Sequence, residues 1–98
     1  MRTLQVSGLE IRWTVSESNL VTIVFVSGMD IEKIDYRIDT ITGEIHEMSL
    51  VRDKGFVKSC HAVLRRTGLM EKKTVSVGQG LFRKEVNRRF FTPEFLRD

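Results

Sequence analysis

The chain has 98 residues, 41 % of them hydrophobic and 30 % charged, with one cysteine and a formal net charge of +3. That length suits a single small domain over residues 1–98, and a lone thiol, Cys60, excludes an intrachain disulfide framework and fits a reducing compartment. Residues 1–8 lack the apolar core of a signal peptide, and the longest apolar stretch, residues 20–26, contains Thr22 and is far shorter than a bilayer span; the sequence therefore reads as cytoplasmic, soluble and independent of membranes.

Leu9, Ile11, Trp13 and Val15 alternate with Glu10, Arg12, Thr14 and Ser16, the period of two that marks a half-buried strand. After the polar turn at residues 17–19, residues 20–26 are apolar on both faces, which predicts a central strand covered at least in part on each side. The two strands form a hairpin. Residues 27–30 break the pattern. Ile34, Tyr36 and Ile38 then alternate with Lys33, Asp35, Arg37 and Asp39 as a second amphipathic strand. Residues 40–43 turn the chain, and residues 44–51 return as the partner, with an irregular alternation that suits a bulge.

Asp53 has the chemistry of an N-cap, and Phe56, Val57, Cys60, Val63 and Leu64 recur at spacings of three and four. A helix from about Asp53 to Thr67 is predicted, with Gly68 placed as a C-cap glycine. Residues 73–77 read as a short strand and residues 78–80 as a loop. Phe82, Val86 and Phe90, four apart, predict a second helix, and Thr92–Pro93–Glu94 a cap followed by a helical first turn. The expected fold is α+β. Two successive hairpins give an antiparallel sheet of about four strands, packed by one or two amphipathic helices from the C-terminal half. The expected core includes Trp13, Val24, Phe25, Ile38, Phe56, Cys60 and Leu64.

No catalytic constellation emerges. Cys60 and His61 are neighbours on a helix, about 100° apart, so the histidine is poorly placed to activate the thiol, and Cys60 reads as a core residue. His46, His61 and Cys60 have no zinc spacing, and Asp35, Asp39, Glu44 and Glu47 lack the calcium-loop pattern and read as a solvated acidic face. Gly78–Gln79–Gly80 completes neither the dinucleotide fingerprint nor the P-loop and reads as a turn. The expectation is a non-enzymatic binding module without cofactor, catalytic residue or metal site.

Charge is distributed unevenly along the chain. Residues 17–53 hold eight acids against three bases, and residues 54–98 hold eleven bases against four acids. Such asymmetry argues for a charged partner or for self-pairing. Lysine and arginine bind phosphates, and free aromatic rings stack on unpaired bases. The stretch around Arg88–Arg89–Phe90–Phe91 interleaves the two types, with Phe91 off the apolar stripe as the freer ring. The candidate contact residues are Lys58, Arg65, Arg66, Arg83, Lys84, Arg88, Arg89 and Phe91. The expected function is a nucleic-acid-associated regulatory module. The alternative is a protein-interaction or assembly subunit that meets an acidic protein surface, or a homodimer in which acidic and basic halves meet between copies.

Overall fold

Strict alternation in the first half of the chain builds a sheet with one buried face. The computed structural model describes residues 1–97. Its first five strands are β1 (Arg2–Val6), β2 (Leu9–Val15), β3 (Leu20–Ser27), β4 (Asp30–Ile38) and β5 (Ile45–Glu47). They pair as an antiparallel meander in the order β1-β2-β3-β4-β5. The register stacks apolar residues across strands: Ile11 faces Phe25, Trp13 faces Ile23, Ile23 faces Ile34, Val21 faces Tyr36 and Ile38 faces Ile45. All of these are buried. A one-residue slip would turn the whole set to the other face, so this register is strongly specified.

The fold is α+β with antiparallel strands, but the strand count differs from expectation. The meander has five strands rather than four, because residues 2–6 form an edge strand on β2. The return strand after residue 43 is short, only Ile45–Glu47. The outer face of β3 is open: Val24 lies between Arg12 and Lys33 and is half-buried, not a core residue. Its apolar character had suggested cover on both sides, but Thr22, Val24 and Val26 on that face are only half-buried, with no second layer over them among the described residues.

Helix α1 (Lys54–Arg66) begins at Asp53, whose carboxylate accepts the Phe56 N–H at 3.0 Å. The Asp53 N–H in turn donates to the buried Glu32 carboxylate at 2.8 Å, tying the helix start to β4. Val57, Cys60, His61 and Leu64 form its buried stripe, and Val57, Cys60 and Leu64 join the sheet residues in one core cluster.

The clearest departure lies after α1. Residues 82–90 are not a helix. β6 (Met70–Val77) and β7 (Lys84–Phe91) pair as a separate antiparallel hairpin closed by a 3-10 turn at Gly80–Phe82. Its foot is anchored: Met70 and Phe91 are buried, Phe91 N–H donates to the Gly43 carbonyl at 3.1 Å, and Glu44 bridges Phe90. Gly43 sits at φ +80°, and a Cβ there would lie 3.1 Å from the Phe91 carbonyl oxygen, so the junction depends on glycine. Beyond the foot, every residue from Glu71 to Phe90 is exposed or half-exposed. The hairpin is therefore an arm, in a molecule whose extents are 48 × 29 × 24 Å.

Helix α2 (Pro93–Leu96) closes the core. Thr92 caps it and Pro93 opens it, as the sequence predicts. Phe95 is fully buried between Trp13 (centroids 4.6 Å apart) and Phe91 (4.2 Å), and Phe91 stands edge-on to Tyr36 at 5.3 Å. Trp13 Nε1 donates to the Phe95 carbonyl at 3.0 Å. Among the described residues no helix is long and apolar enough to cross a membrane.

Candidate functional site

Four residues of α1, Lys54, Lys58, His61 and Arg65, recur at spacings of four, three and four, which places them on one helical face. That face lines a cleft of about 390 Å³. The opposite wall comes from Lys72 and Arg89 at the foot of the arm and from Glu47, Ser49, Leu50 and Val51 on and after β5. Five cations thus meet one carboxylate. Arg89 is partnered, donating to Glu47 Oε1 at 2.9 Å. Lys54, Lys58, Arg65 and Lys72 have no ion-pair partner among the described residues.

A buried polar chain supports the cleft floor. Arg89 donates to His61 Nδ1 at 2.8 Å, and His61 Nε2 lies 2.8 Å from Tyr36 Oη. A guanidinium only donates, so Nδ1 carries no proton and the neutral ring holds its proton on Nε2, donating to Tyr36. Burial first, then the Arg89 charge, pushes the His61 pKa down to about 4, so the ring is neutral near pH 7. Burial, reinforced by the Glu47 charge, holds the Tyr36 hydroxyl above its ordinary range. Burial raises the Cys60 thiol to about 11. Around the cleft, the neutral groups lie inside and the unneutralised charges lie at the rim. Such a rim of like charge is a positive field to which an anion can pair.

The sequence-predicted contact residues fall into three groups. Lys58, Arg65 and Arg89 line the cleft. Arg83 and Lys84 lie exposed at the outer end of the arm. Arg88, on the opposite face of β7 from Arg89, lies 3.4 Å from Glu44. Arg66 is exposed beside the helical stripe but does not line the cleft. Phe91 is not a free ring. It is 2 % exposed and packs on Phe95 and Tyr36, because a strand sends residue 91 inward where a helix would have turned it aside. The exposed ring is Phe82, 87 % accessible, which the helical reading had put on the apolar stripe with Val86 and Phe90.

Lys54 and Lys72 went unnoticed in the sequence. The signal for Lys54 was the basic periodicity 54-58-61-65; Lys72 had none, since its approach to α1 depends on the arm's foot. The acidic turn is likewise occupied internally. Asp39 accepts the Thr42 and Ile41 N–H groups, which hold its carboxyl below the usual range. Asp35 accepts the Thr22 hydroxyl at 2.7 Å, and Glu44 and Glu47 pair with Arg88 and Arg89. No cluster of three or more metal-ligating side chains occurs among the described residues. No protein-family model, curated protein or solved structure matches the chain.

Proposed function

We propose that the protein is a nucleic-acid-binding module whose α1 face and β6–β7 arm grip the phosphate backbone. The observation that carries this reading is the convergence of four unpartnered cations, Lys54, Lys58, Arg65 and Lys72, on one cleft at the foot of a basic arm. Between Lys72 and Arg89 the arm holds six bases and one acid, Glu85. Three of those six, Lys73, Arg88 and Arg89, pair with Glu71, Glu44 and Glu47, and the cations left without an ion pair among the described residues gain by releasing counterions from a phosphate lattice. A two-stranded ribbon also fits the roughly 12 Å width of a duplex major groove.

The test is fluorescence anisotropy with a generic DNA duplex and a generic RNA strand between 50 and 200 mM salt. Affinity is expected to fall steeply with salt, and Lys58→Gln, Arg65→Gln and Lys72→Gln together are expected to reduce the log–log slope by roughly two to three. Arg89 is unsuitable for this purpose: removing it strips partners from His61 and Glu47, which confuses folding with binding. Absence of salt-dependent binding to either probe would overturn the reading. The second reading is an acidic protein surface on the same cations, favoured by the apolar wall of Leu50, Val51 and Val57 that a bare phosphate does not need. In that case an acidic polypeptide binds where oligonucleotides do not.

A further inference from the structure

The end of the arm displays two large apolar side chains to water. Leu81 is 99 % exposed and Phe82 87 % exposed. Single exposed apolar residues are ordinary on any surface, and Met29 and Ile41 at other turns are examples. The arm tip differs in being an adjacent pair held in a defined turn. Phe82 N–H donates to Gln79 O at 3.0 Å and Arg83 N–H to Gly80 O at 3.3 Å. Gly78 stands at φ +94°, where a Cβ would meet the Phe82 carbonyl oxygen at 2.4 Å. The loop therefore folds back on its own backbone around a glycine, which fixes where Leu81 and Phe82 point. Arg83 and Lys84 follow at once, and Lys73 and Arg88 stand further down the arm on the same face as Lys84.

We propose that Leu81 and Phe82 form a wedge that enters between stacked base pairs of a duplex while the arm's cations hold the flanking phosphates. This rests on the nucleic-acid reading above and adds the element that enters the base stack. Phenylalanine and leucine are among the side chains that unstack a base step, and the unstacking is offset by the additional protein surface the deformed duplex can contact. Charge favours this occupant over a plain apolar partner, because Arg83 and Lys84 directly follow the pair and the arm, residues 70–91, carries six bases against two acids, Glu71 and Glu85. Eight-residue strands extend about 26 Å. The tip can therefore reach a base step while the cleft at the foot contacts backbone further along.

The probe is a 12-bp DNA duplex with 2-aminopurine beside a central TA step, the kind of step that unstacks most easily. Anisotropy reports binding and 2-aminopurine emission reports unstacking. The parent protein is expected to raise the emission at least twofold. Leu81→Ser with Phe82→Ser is expected to bind three- to tenfold more weakly and to abolish the rise. Gly78→Ala, which displaces the turn without removing either side chain, is expected to reduce the rise at least by half. Circular dichroism should show both variants folded, because the tip lies outside the core. If the parent binds without any emission change, the wedge is overturned and the backbone-gripping reading stands. If no binding occurs at low salt, both fail. If vesicles containing one third phosphatidylserine bind the parent through Leu81 and Phe82 while the duplex emission stays flat, the tip is a membrane contact and the wedge is overturned.

Discussion

At His61 the competition between burial and hydrogen bonding settles a charge state. The residue is 4 % exposed, both ring nitrogens are engaged, and Arg89 adds a repelling positive charge from one side while Glu47 attracts from another. The folded pKa near 4 lies below the ordinary 6.5, so between those values the unfolded chain binds a proton that the folded chain refuses. The stabilising contribution is therefore complete above pH 6.5 and is lost as pH falls toward 4, by on the order of 3 kcal/mol. Urea unfolding at pH 7 and pH 4.5 should show this loss, and His61→Gln should remove most of the difference. Equal pH dependence in the variant would mean that the carboxylates alone govern acid stability. Cys60, 1 % exposed and with its thiol raised to about 11, is expected to react with a thiol reagent only as fast as the protein opens. Cys60→Ala should cost on the order of 1 kcal/mol, and rapid labelling of the native protein at neutral pH would contradict its burial.

Among the elements, α1 shows how local chemistry can fix a boundary. Asp53 both caps Phe56 N–H and donates its own N–H to Glu32. Replacing it with alanine removes the side-chain cap alone and is expected to lower stability by about 1 kcal/mol, read as a shifted denaturant midpoint with unchanged slope. The helix, β2 and the amphipathic β4 were legible because each buries one face and so carries its period in the sequence, whereas β3 was legible only as an unbroken apolar run that hid which face is open. β7 was not. Phe82, Val86 and Phe90 are four apart, which is a multiple of two as well as nearly one helical turn, so the spacing alone does not distinguish the two. A ribbon exposed on both faces has no core to impose alternation, and its pairing partner β6 is set by backbone hydrogen bonds across a turn at Gly78 and Gly80. The same cause hid part of the candidate site. Lys58 and Arg65 were singled out on α1, whereas Lys54 was passed over despite its matching spacing, Lys72 joins them only through the fold, and Phe91 was misplaced because its strand was read as a helix.

At the scale of the molecule, the acidic and basic halves meet within one copy. Glu44 pairs with Arg88 and Glu47 with Arg89 where β7 joins the β4–β5 turn, which leaves the α1 cations and the arm's outer end as the unneutralised remainder. The far side of the core is closed by the C-terminal turn. Phe95, from a helix of four residues, fills the gap between Trp13 and Phe91 and offers its carbonyl to the indole N–H. Arg2 ties the same turn to β1 by donating to the Glu94 and Arg97 carbonyls at 2.9 and 2.6 Å. Truncating a fully buried phenylalanine costs about 3–5 kcal/mol, against a total of roughly 5–15 kcal/mol for a domain of this kind. Phe95→Ala is therefore expected to lower Tm by at least about 12 °C, since each kcal/mol shifts a domain of this size by roughly 4–8 °C. Trp13, the only tryptophan, reports the change directly: its emission should shift to the red as the stacked ring is lost. Phe82→Ala, at the exposed arm tip, should change Tm by no more than about 4 °C, corresponding to the half kcal/mol typical of surface sites. A Phe95→Ala protein that melts with the parent would show that the core closes without α2, and the aromatic row from Trp13 to Tyr36 would then not be what joins the two ends of the chain.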